Sequence, residues 1–147
     1  MDLLNALDIS SSGLIVQRFR MNLCAENLAN IETTRTANGE PYRRKQIVIS
    51  DGGDQISFQD VMMGMQNSMP VFDGAKVIDV VYDQTNFRSI HKPGHPDADK
   101  NGYVLMPNVN PIVEMADMLS ATRAYEANIT AFSSAKSMVA KALELGK

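Results

Sequence analysis

The chain has little of what catalysis and disulfide cross-linking depend on: its 147 residues include one cysteine, two histidines and no tryptophan. The single Cys24 cannot form an internal disulfide, and its place beside Ala25 in a helical segment indicates a small buried residue, not a reactive thiol. Both histidines fall in one turn-rich segment, and no Gly-x-Ser-x-Gly motif is present, so no catalytic triad can be recognised. We therefore expect that the protein is not an enzyme, and the sequence indicates no cofactor.

Long hydrophobic runs are also missing, and no apolar stretch approaches the roughly 20 residues that span a bilayer. No membrane span is expected, and no cleavable secretory signal is recognised, because the first basic residue is Arg18. A net charge of −3 does not favour binding to nucleic acid or to anionic membranes. The one dense basic run, Arg43 to Lys45, is expected to be a solvated edge strand. On these features alone the chain would be assigned to the cytoplasm.

What the chain does have is a heptad pattern at each end, in which selected positions alternate steps of three and four. Such a pattern is typical of a helix whose seam meets a partner, so the layout favours an assembling subunit. At a rise of about 1.5 Å per residue, each helix is expected to be about 45–50 Å long. The N-terminal seam comprises Leu4, Leu7, Ser11, Leu14, Arg18, Met21, Ala25 and Leu28, and the C-terminal seam comprises Met115, Met118, Thr122, Tyr125, Ile129, Phe132, Lys136, Val139 and Leu143.

The predicted fold class is mainly α with a β-rich insertion, in which the two terminal helices form a coiled-coil-like core and a small β region lies between them. We predict an N-terminal helix at 1–32, a β-rich middle region at 33–109 and a C-terminal helix at 110–147. Strands are expected at 42–50 and 75–82, the second of them central in a sheet, and a hairpin at 87–91 and 103–106. A mobile or partner-ordered loop is expected at about 51–75. Asn110 before Pro111 is expected to cap the C-terminal helix.

The turn at 91–102 is the one segment that resembles a metal site, because it carries His91, His95, Asp97 and Asp99. Its first half matches a calcium loop, but the twelfth position, which requires a bidentate glutamate, is Asn108. An Asx-rich hairpin tip is the other interpretation. A small calcium- or metal-binding module that uses this turn is therefore kept as the alternative function.

Several motifs carry a resemblance to a known family. Asn27-Leu28-Ala29-Asn30 at the end of the first helix resembles the N-terminal signature of the bacterial flagellar rod and hook axial proteins. Further motifs resemble the proximal-rod members of that family along nearly the whole chain, with about 51–75 unmatched. They are Pro41-Tyr42-Arg43-Arg44-Lys45, Pro93-Gly94-His95-Pro96-Asp97-Ala98, Gly102 to Asn110, Glu114-Met115, Arg123 to Asn128, and Lys136-Ser137-Met138.

The resemblance implies a structural subunit of the flagellar basal-body proximal rod, which assembles helically and transmits torque from the rotor to the distal rod and hook. It implies as partners further copies of the chain, other proximal rod proteins, the rod-to-ring adaptor protein, distal rod subunits and the flagellar export apparatus. It also implies type III export without a cleaved signal peptide, which replaces the cytoplasmic assignment with the periplasmic rod of the basal body. The implied fold, terminal helices packed together with a β-rich portion outside, agrees with the pattern.

The resemblance and the heptads together predict the residues of an assembly interface. Asn27 and Asn30 are expected either to cap the last carbonyls of the first helix or to bridge to a polar group on the C-terminal helix or on a neighbouring subunit, and Asn30 could end its helix in the left-handed conformation. The predicted interface comprises Leu7, Leu14, Met21, Asn27, Leu28, Asn30, Met115, Met118, Tyr125, Asn128, Ile129, Phe132, Lys136, Val139 and Leu143.

Overall fold

A computed structural model of the chain describes residues 3–51 and 74–145. Helix α1, Leu3–Ala29, and helix α2, Pro111–Leu145, contain 27 and 35 residues and pack antiparallel against each other. Strands β1 (Lys45–Ser50), β2 (Lys76–Tyr82), β3 (Arg88–His91) and β4 (Tyr103–Met106) lie between them in sequence. The fold is thus two helices with small antiparallel sheets. The loop predicted at about 51–75 lies almost entirely outside the described residues.

Asparagine side chains satisfy backbone groups at the end of α1 and at the start of α2. The Asn110 side-chain oxygen accepts from the amide of Ile112 at 3.1 Å, and Pro111 occupies the first helical position, so the predicted cap of α2 is confirmed. At the end of α1, the Asn30 side chain donates to the Glu26 carbonyl at 2.9 Å. No non-glycine residue of the described chain has a positive φ, so the left-handed conformation considered for Asn30 is wrong. The Asn30 amide satisfies a last-turn carbonyl instead.

The strands form two separate two-stranded antiparallel sheets, β1 with β2 and β3 with β4. The β3–β4 hairpin was predicted and is confirmed. The central position predicted for β2 is wrong, because β2 pairs with β1 alone in the described chain and leaves Ile78 66% exposed. Its β-branched residues indicate a strand but carry no information about the number of neighbouring strands. Two-stranded sheets are only marginally stable by themselves, so the stability of these two sheets depends on their contacts with the helices.

The helix–helix interface is built from small and polar residues as much as from apolar ones. On α2, eight buried or half-buried positions between 114 and 139 alternate steps of four and three, but only four of the eight belong to the predicted seam; Asp117, Thr122 and Ala124 are half-buried beside them. Met118, Tyr125, Phe132 and Val139 belong to both. The other members lie one residue before the predicted positions, and they are Glu114, Ala121, Asn128 and Ala135.

This one-residue offset has a steric basis at Gly13. A Cβ atom added to Gly13 would lie 2.8 Å from the Asn128 Nδ2 atom, so the two helices approach closely at this level. Ala121 and Ala135 on α2 are also small and buried. Small side chains contribute little to a hydrophobic pattern, yet they define the face along which helix backbones come together. A heptad pattern based on large apolar residues therefore identifies the face beside the one that joins the two helices.

Candidate assembly surface and polar junction

A buried polar junction joins both helices to the start of β1. Asn27, on the last turns of α1, is 1% exposed, and all four of its side-chain hydrogen-bonding sites are used. Its amide nitrogen donates to the Lys45 carbonyl and to the Glu114 Oε2 atom, each at 3.0 Å. Its oxygen accepts from the Lys45 amide at 3.0 Å and from the Tyr42 hydroxyl at 2.9 Å. The expected bridge from Asn27 to the C-terminal helix is confirmed, and it lies inside the chain.

Glu114 is the second centre of the junction. It is 1% exposed in the first turn of α2, and its Oε1 atom accepts from the Arg44 Nε atom at 2.6 Å. Arg44 also lies 3.7 Å from an Asp83 carboxylate oxygen and 3.6 Å from one of Asp117. Removing a buried carboxylate from such a pair leaves an uncompensated charge, so the cluster specifies one arrangement of its segments. The solvated strand expected for Arg43 to Lys45 is therefore wrong for Arg44, which is largely buried.

The junction continues into the connection between β2 and β3. The backbone amide of Arg44 donates to the Asn108 Oδ1 atom at 2.8 Å, and Asn108 Nδ2 donates to the Thr85 hydroxyl at 2.9 Å. The Arg43 guanidinium stacks over the Phe87 ring at 4.4 Å and donates to the Asp83 carbonyl at 3.1 Å. The polar contacts therefore tie both two-stranded sheets to the end of the helical pair.

Burial and neighbouring charges shift the pKa values of several groups in and beside the junction. Burial disfavours a charged Arg44, but its hydrogen bond to Glu114 and the surrounding carboxylates outweigh that effect and raise its pKa. The backbone amide of Thr85 and the Arg44 charge lower the pKa of Asp83 despite some desolvation. Burial and the nearby Glu114 charge raise the pKa of Cys24 from 9.0 to about 11, so the thiol is protonated at neutral pH. Burial likewise raises the pKa of Tyr42, whose hydroxyl remains a donor to Asn27.

Sequence reasoning missed the partners of this junction. An acidic residue such as Glu114 in the first turn of a helix is ordinarily explained by its favourable interaction with the helix dipole. Arg44 is ordinarily explained as part of a solvated basic run on an edge strand. The available signal was positional: Glu114 lies four residues before Met118 and therefore on the side of α2 that faces α1. A carboxylate at such a position requires a cationic partner, which the basic run supplies.

The predicted interface residues fall into three groups in the single chain. Asn27, Met118, Tyr125, Asn128, Phe132 and Val139 lie buried or half-buried on the faces joining the two helices. Leu7, Leu14, Met21 and Leu28 are half-buried on α1, and Asn30 makes local contacts to Glu26 and Thr33. Met115, Ile129, Lys136 and Leu143 are exposed on α2. A role for these residues in contacts between subunits stays a prediction.

The turn once considered for metal binding is occupied by its own hydrogen bonds. Asp99 Oδ1 accepts from the amides of Asn101 and Tyr103, each at 2.8 Å, as in an Asx turn. Asp97 Oδ2 accepts from the Thr34 hydroxyl at 2.8 Å. Within residues 3–51 and 74–145, no group of three His, Cys, Asp or Glu side chains is placed to hold a metal ion. The contacts correspond to the Asx-rich hairpin tip.

Comparisons with known proteins place this architecture in a family. Residues 100–145 match the family model described as flagellar basal body rod FlgEFG protein C-terminal. The flagellar basal-body rod protein FlgC of Bacillus subtilis strain 168 is 43% identical over 148 residues, which cover 97% of this chain and 97% of that protein. The chain belongs to the FlgC family of flagellar basal-body rod proteins.

Other FlgC proteins match at similar levels. FlgC of Salmonella typhimurium is 41% identical over 148 residues, with 100% of each chain covered, and FlgC of Borreliella burgdorferi is 37% identical over 149 residues, with 99% of this chain and 98% of that protein covered. As a member of the FlgC family, the chain is a structural subunit of the flagellar basal-body rod. No helix in the described ranges is long and apolar enough to cross a membrane.

Proposed function

We propose that this rod subunit assembles helically in the proximal rod and carries torque from the rotor towards the distal rod and hook. The observation that carries the proposal is the buried junction of Asn27, Glu114 and Arg44. Torque applied to the helical pair passes to the β region only where the two are rigidly joined. The two sheets are two-stranded and partly exposed, so a flexible attachment would leave them free to rotate.

Several finer features belong to the same proposal. The terminal helices would form a coiled-coil-like core on assembly, with limits near 1–32 and 110–147 and a β-rich region at 33–109 between them. The partners would be copies of the chain, other proximal rod proteins, the rod-to-ring adaptor, distal rod subunits and the export apparatus. Export would proceed without a cleaved signal peptide into the periplasmic rod. The chain would perform no catalysis, and its residues would act by packing and hydrogen bonding.

The test is deletion of the gene in its own host followed by complementation. We expect the deletion strain to lack hooks and motility, and the wild-type chain to restore both and to be recovered in purified basal bodies. Complete flagella in the deletion strain would refute the proposal.

Two asparagine variants then test the junction. Asn27→Ala leaves the Tyr42 hydroxyl and the Lys45 amide without their acceptor, at a cost of about 1–3 kcal/mol per unsatisfied group. Asn30→Ala loses only local contacts at the end of α1. We therefore expect cells that carry Asn27→Ala to swim poorly in medium of raised viscosity, and cells that carry Asn30→Ala to swim nearly normally. Equal swimming by the two strains would show that torque transmission does not depend on this junction.

A further inference from the structure

The β3–β4 hairpin lies apart from the other regular elements of the described chain. No Cα atom of β3 or β4 lies within 8 Å of a Cα atom of either helix or of the β1–β2 sheet. Val104 and Met106 on β4 are nevertheless buried, so apolar packing contributes to holding the hairpin in place. Burial of apolar surface is non-directional, and it therefore constrains the orientation of the hairpin less than hydrogen bonds do.

The bases of the two sheets meet at one place. Strand β1 begins at Lys45, opposite Tyr82 at the end of β2, and β3 begins at Arg88, opposite Met106 at the end of β4. The connection 83–87 joins the two bases. A polar contact to this connection therefore acts on both sheets at once.

Arg43 and Asn108 bind the same two carbonyl oxygens of this connection. Arg43 Nη1 donates to the Asp83 carbonyl at 3.1 Å and to the Thr85 carbonyl at 3.4 Å. Asn108 Nδ2 donates to the same two oxygens at the same distances. The longer pair of contacts is the weaker one, and a carbonyl oxygen has two lone pairs, so it can accept from both donors. We call Arg43 and Asn108, with the carbonyls of Asp83 and Thr85, the sheet clamp.

Each side chain of the sheet clamp also contacts one of the two parts that the clamp joins. The Arg43 guanidinium stacks 4.4 Å from the centre of the Phe87 ring, and Phe87 directly precedes β3. Asn108 Oδ1 accepts from the backbone amide of Arg44 at 2.8 Å, and the Arg44 side chain binds Glu114 on α2. Hydrogen bonds and one stacked pair thus form a continuous route from α2 to the start of β3.

A second polar contact holds the hairpin near its tip. The Thr34 hydroxyl donates to Asp97 Oδ2 at 2.8 Å, and Arg35 Nη1 lies 4.0 Å from Asp97 Oδ1. The Arg35 side chain is 73% exposed, and ion pairs that are exposed to solvent contribute little. The contacts at the base therefore constrain the hairpin more than the contacts at its tip.

We propose that the sheet clamp fixes the angle between the β3–β4 hairpin and the helical pair, with Arg43 and Asn108 as its positioning residues. This inference rests on the proposed function, because it names the residues through which load on the helices reaches the hairpin. Without the clamp, the burial of Val104 and Met106 still favours a packed hairpin, but over a wider range of angles.

Two substitutions remove the donors of the clamp with little change in shape. Arg43→Met keeps an unbranched side chain beside Phe87 and loses the guanidinium. Asn108→Asp keeps the oxygen that accepts from the Arg44 amide and replaces the donor nitrogen by an oxygen. In the double variant, no guanidinium remains at position 43 to pair with the new carboxylate. Each single variant leaves one donor on both carbonyls, so the double variant is the decisive one.

Pairs of spin labels measure the angle of the hairpin in the full chain. The background is Cys24→Ala, because the native thiol is buried and would label incompletely. The pair Asn22→Cys and Lys100→Cys spans the helical pair and the turn between β3 and β4, and the pair Asn22→Cys and Lys141→Cys spans the two helices. All three labelled positions are exposed. Pulsed electron paramagnetic resonance gives a distribution of distances for each pair.

We expect the double variant to broaden the distance distribution between positions 22 and 100 about two-fold and to leave that between positions 22 and 141 unchanged. Each single variant is expected to broaden the first distribution less. The matched control is Gln84→Ala, in the same connection, because Gln84 Nε2 donates to the Tyr82 carbonyl at the end of β2 at 3.2 Å. This control is expected to leave both distributions unchanged.

Each other outcome contradicts the proposal. An unchanged distribution between positions 22 and 100 in the double variant would exclude the clamp as the source of the angle. Broadening of both distributions would show that Arg43 and Asn108 stabilise the whole chain instead of positioning the hairpin. Equal broadening by Gln84→Ala would assign the effect to the connection itself. All three outcomes leave the proposed function intact, because complete flagella in the deletion strain are what would refute it.

Discussion

Replacing Glu114 by glutamine probes the junction with almost no change in side-chain volume. In the native chain, Glu114 accepts hydrogen bonds from Arg44 Nε at 2.6 Å and from Asn27 Nδ2 at 3.0 Å. A glutamine has one acceptor oxygen and one donor nitrogen, so its nitrogen must face one of these two donors. One buried donor is then left unsatisfied, and Arg44 loses its closest counter-charge.

The cost follows from the surroundings of Arg44. Breaking a buried ion pair by removing one partner costs about 3–5 kcal/mol. Arg44 keeps Asp83 at 3.7 Å and Asp117 at 3.6 Å, which favours the lower end, about 3 kcal/mol. For a chain of this size, each kcal/mol lowers the melting temperature by about 2–4 °C, so Glu114→Gln is expected to lower it by about 6–12 °C.

Thermal unfolding of the purified chain, followed by far-UV circular dichroism, measures this shift. The matched control is Glu126→Gln, the same chemical change at an exposed position of α2, which is expected to change stability by less than about 0.5 kcal/mol. A second variant, Arg44→Gln, tests the pairing, because the double variant should lose less stability than the sum of the two single changes. Equal melting temperatures for Glu114→Gln and Glu126→Gln would refute the reasoning.

Two further predictions concern the helices. Burial raises the pKa of Cys24 from 9.0 to about 11, so the folded chain holds the thiol proton more tightly than the unfolded chain does. The stability that comes from the protonated thiol is therefore complete below about pH 9 and is lost as the pH rises towards 11. Urea unfolding between pH 8 and pH 11 should show a smaller loss in Cys24→Ala than in the native chain, and identical profiles would contradict this assignment. Ile129→Asp, at a 45% exposed position, should leave the urea midpoint nearly unchanged but prevent recovery in basal bodies. Phe132→Asp, on the inner face, should lower the free energy of unfolding by several kcal/mol and with it the midpoint. Matching midpoints for these two variants would place both residues on the same face.

The helices and the hairpin were predictable because their signals are local. Heptad spacing, the Asn110 cap before Pro111, and the turn-rich segment between β3 and β4 all lie within a few residues of the structures they specify. The pairing of β1 with β2 in a sheet of two strands, separate from the β3–β4 sheet in the described chain, was not predictable. How many strands pair with β2 depends on residues far away in sequence, and β-branched residues indicate a strand without specifying how many neighbours it has.

The junction could be predicted only in part. Asn27 was identified as a bridge because it belongs to the Asn27-Leu28-Ala29-Asn30 motif that resembles the family signature, and a polar side chain at a helix end requires partners. Its actual partners, Tyr42, Lys45 and Glu114, come from segments separated by up to 87 residues. No spacing rule connects such segments, since their meeting depends on the antiparallel register of the two helices and on the path of the chain between them.

The one-residue difference between the predicted and observed seams follows from the sizes of the side chains on the two neighbouring faces of each helix. Each helix carries an inner face of small, polar and apolar residues that joins it to the other helix. Larger apolar residues lie in a stripe beside this face, at Leu7, Leu14, Met21 and Leu28 on α1 and at Met115, Ile129 and Leu143 on α2. Hydrophobicity identifies this stripe, because Leu14 or Ile129 contributes more apolar surface than Gly13 or Asn128. A chain that folded only for itself would gain stability by turning that stripe inward. The stripe on the outside, away from the β1–β2 sheet, is therefore the surface on which we predict contacts between subunits.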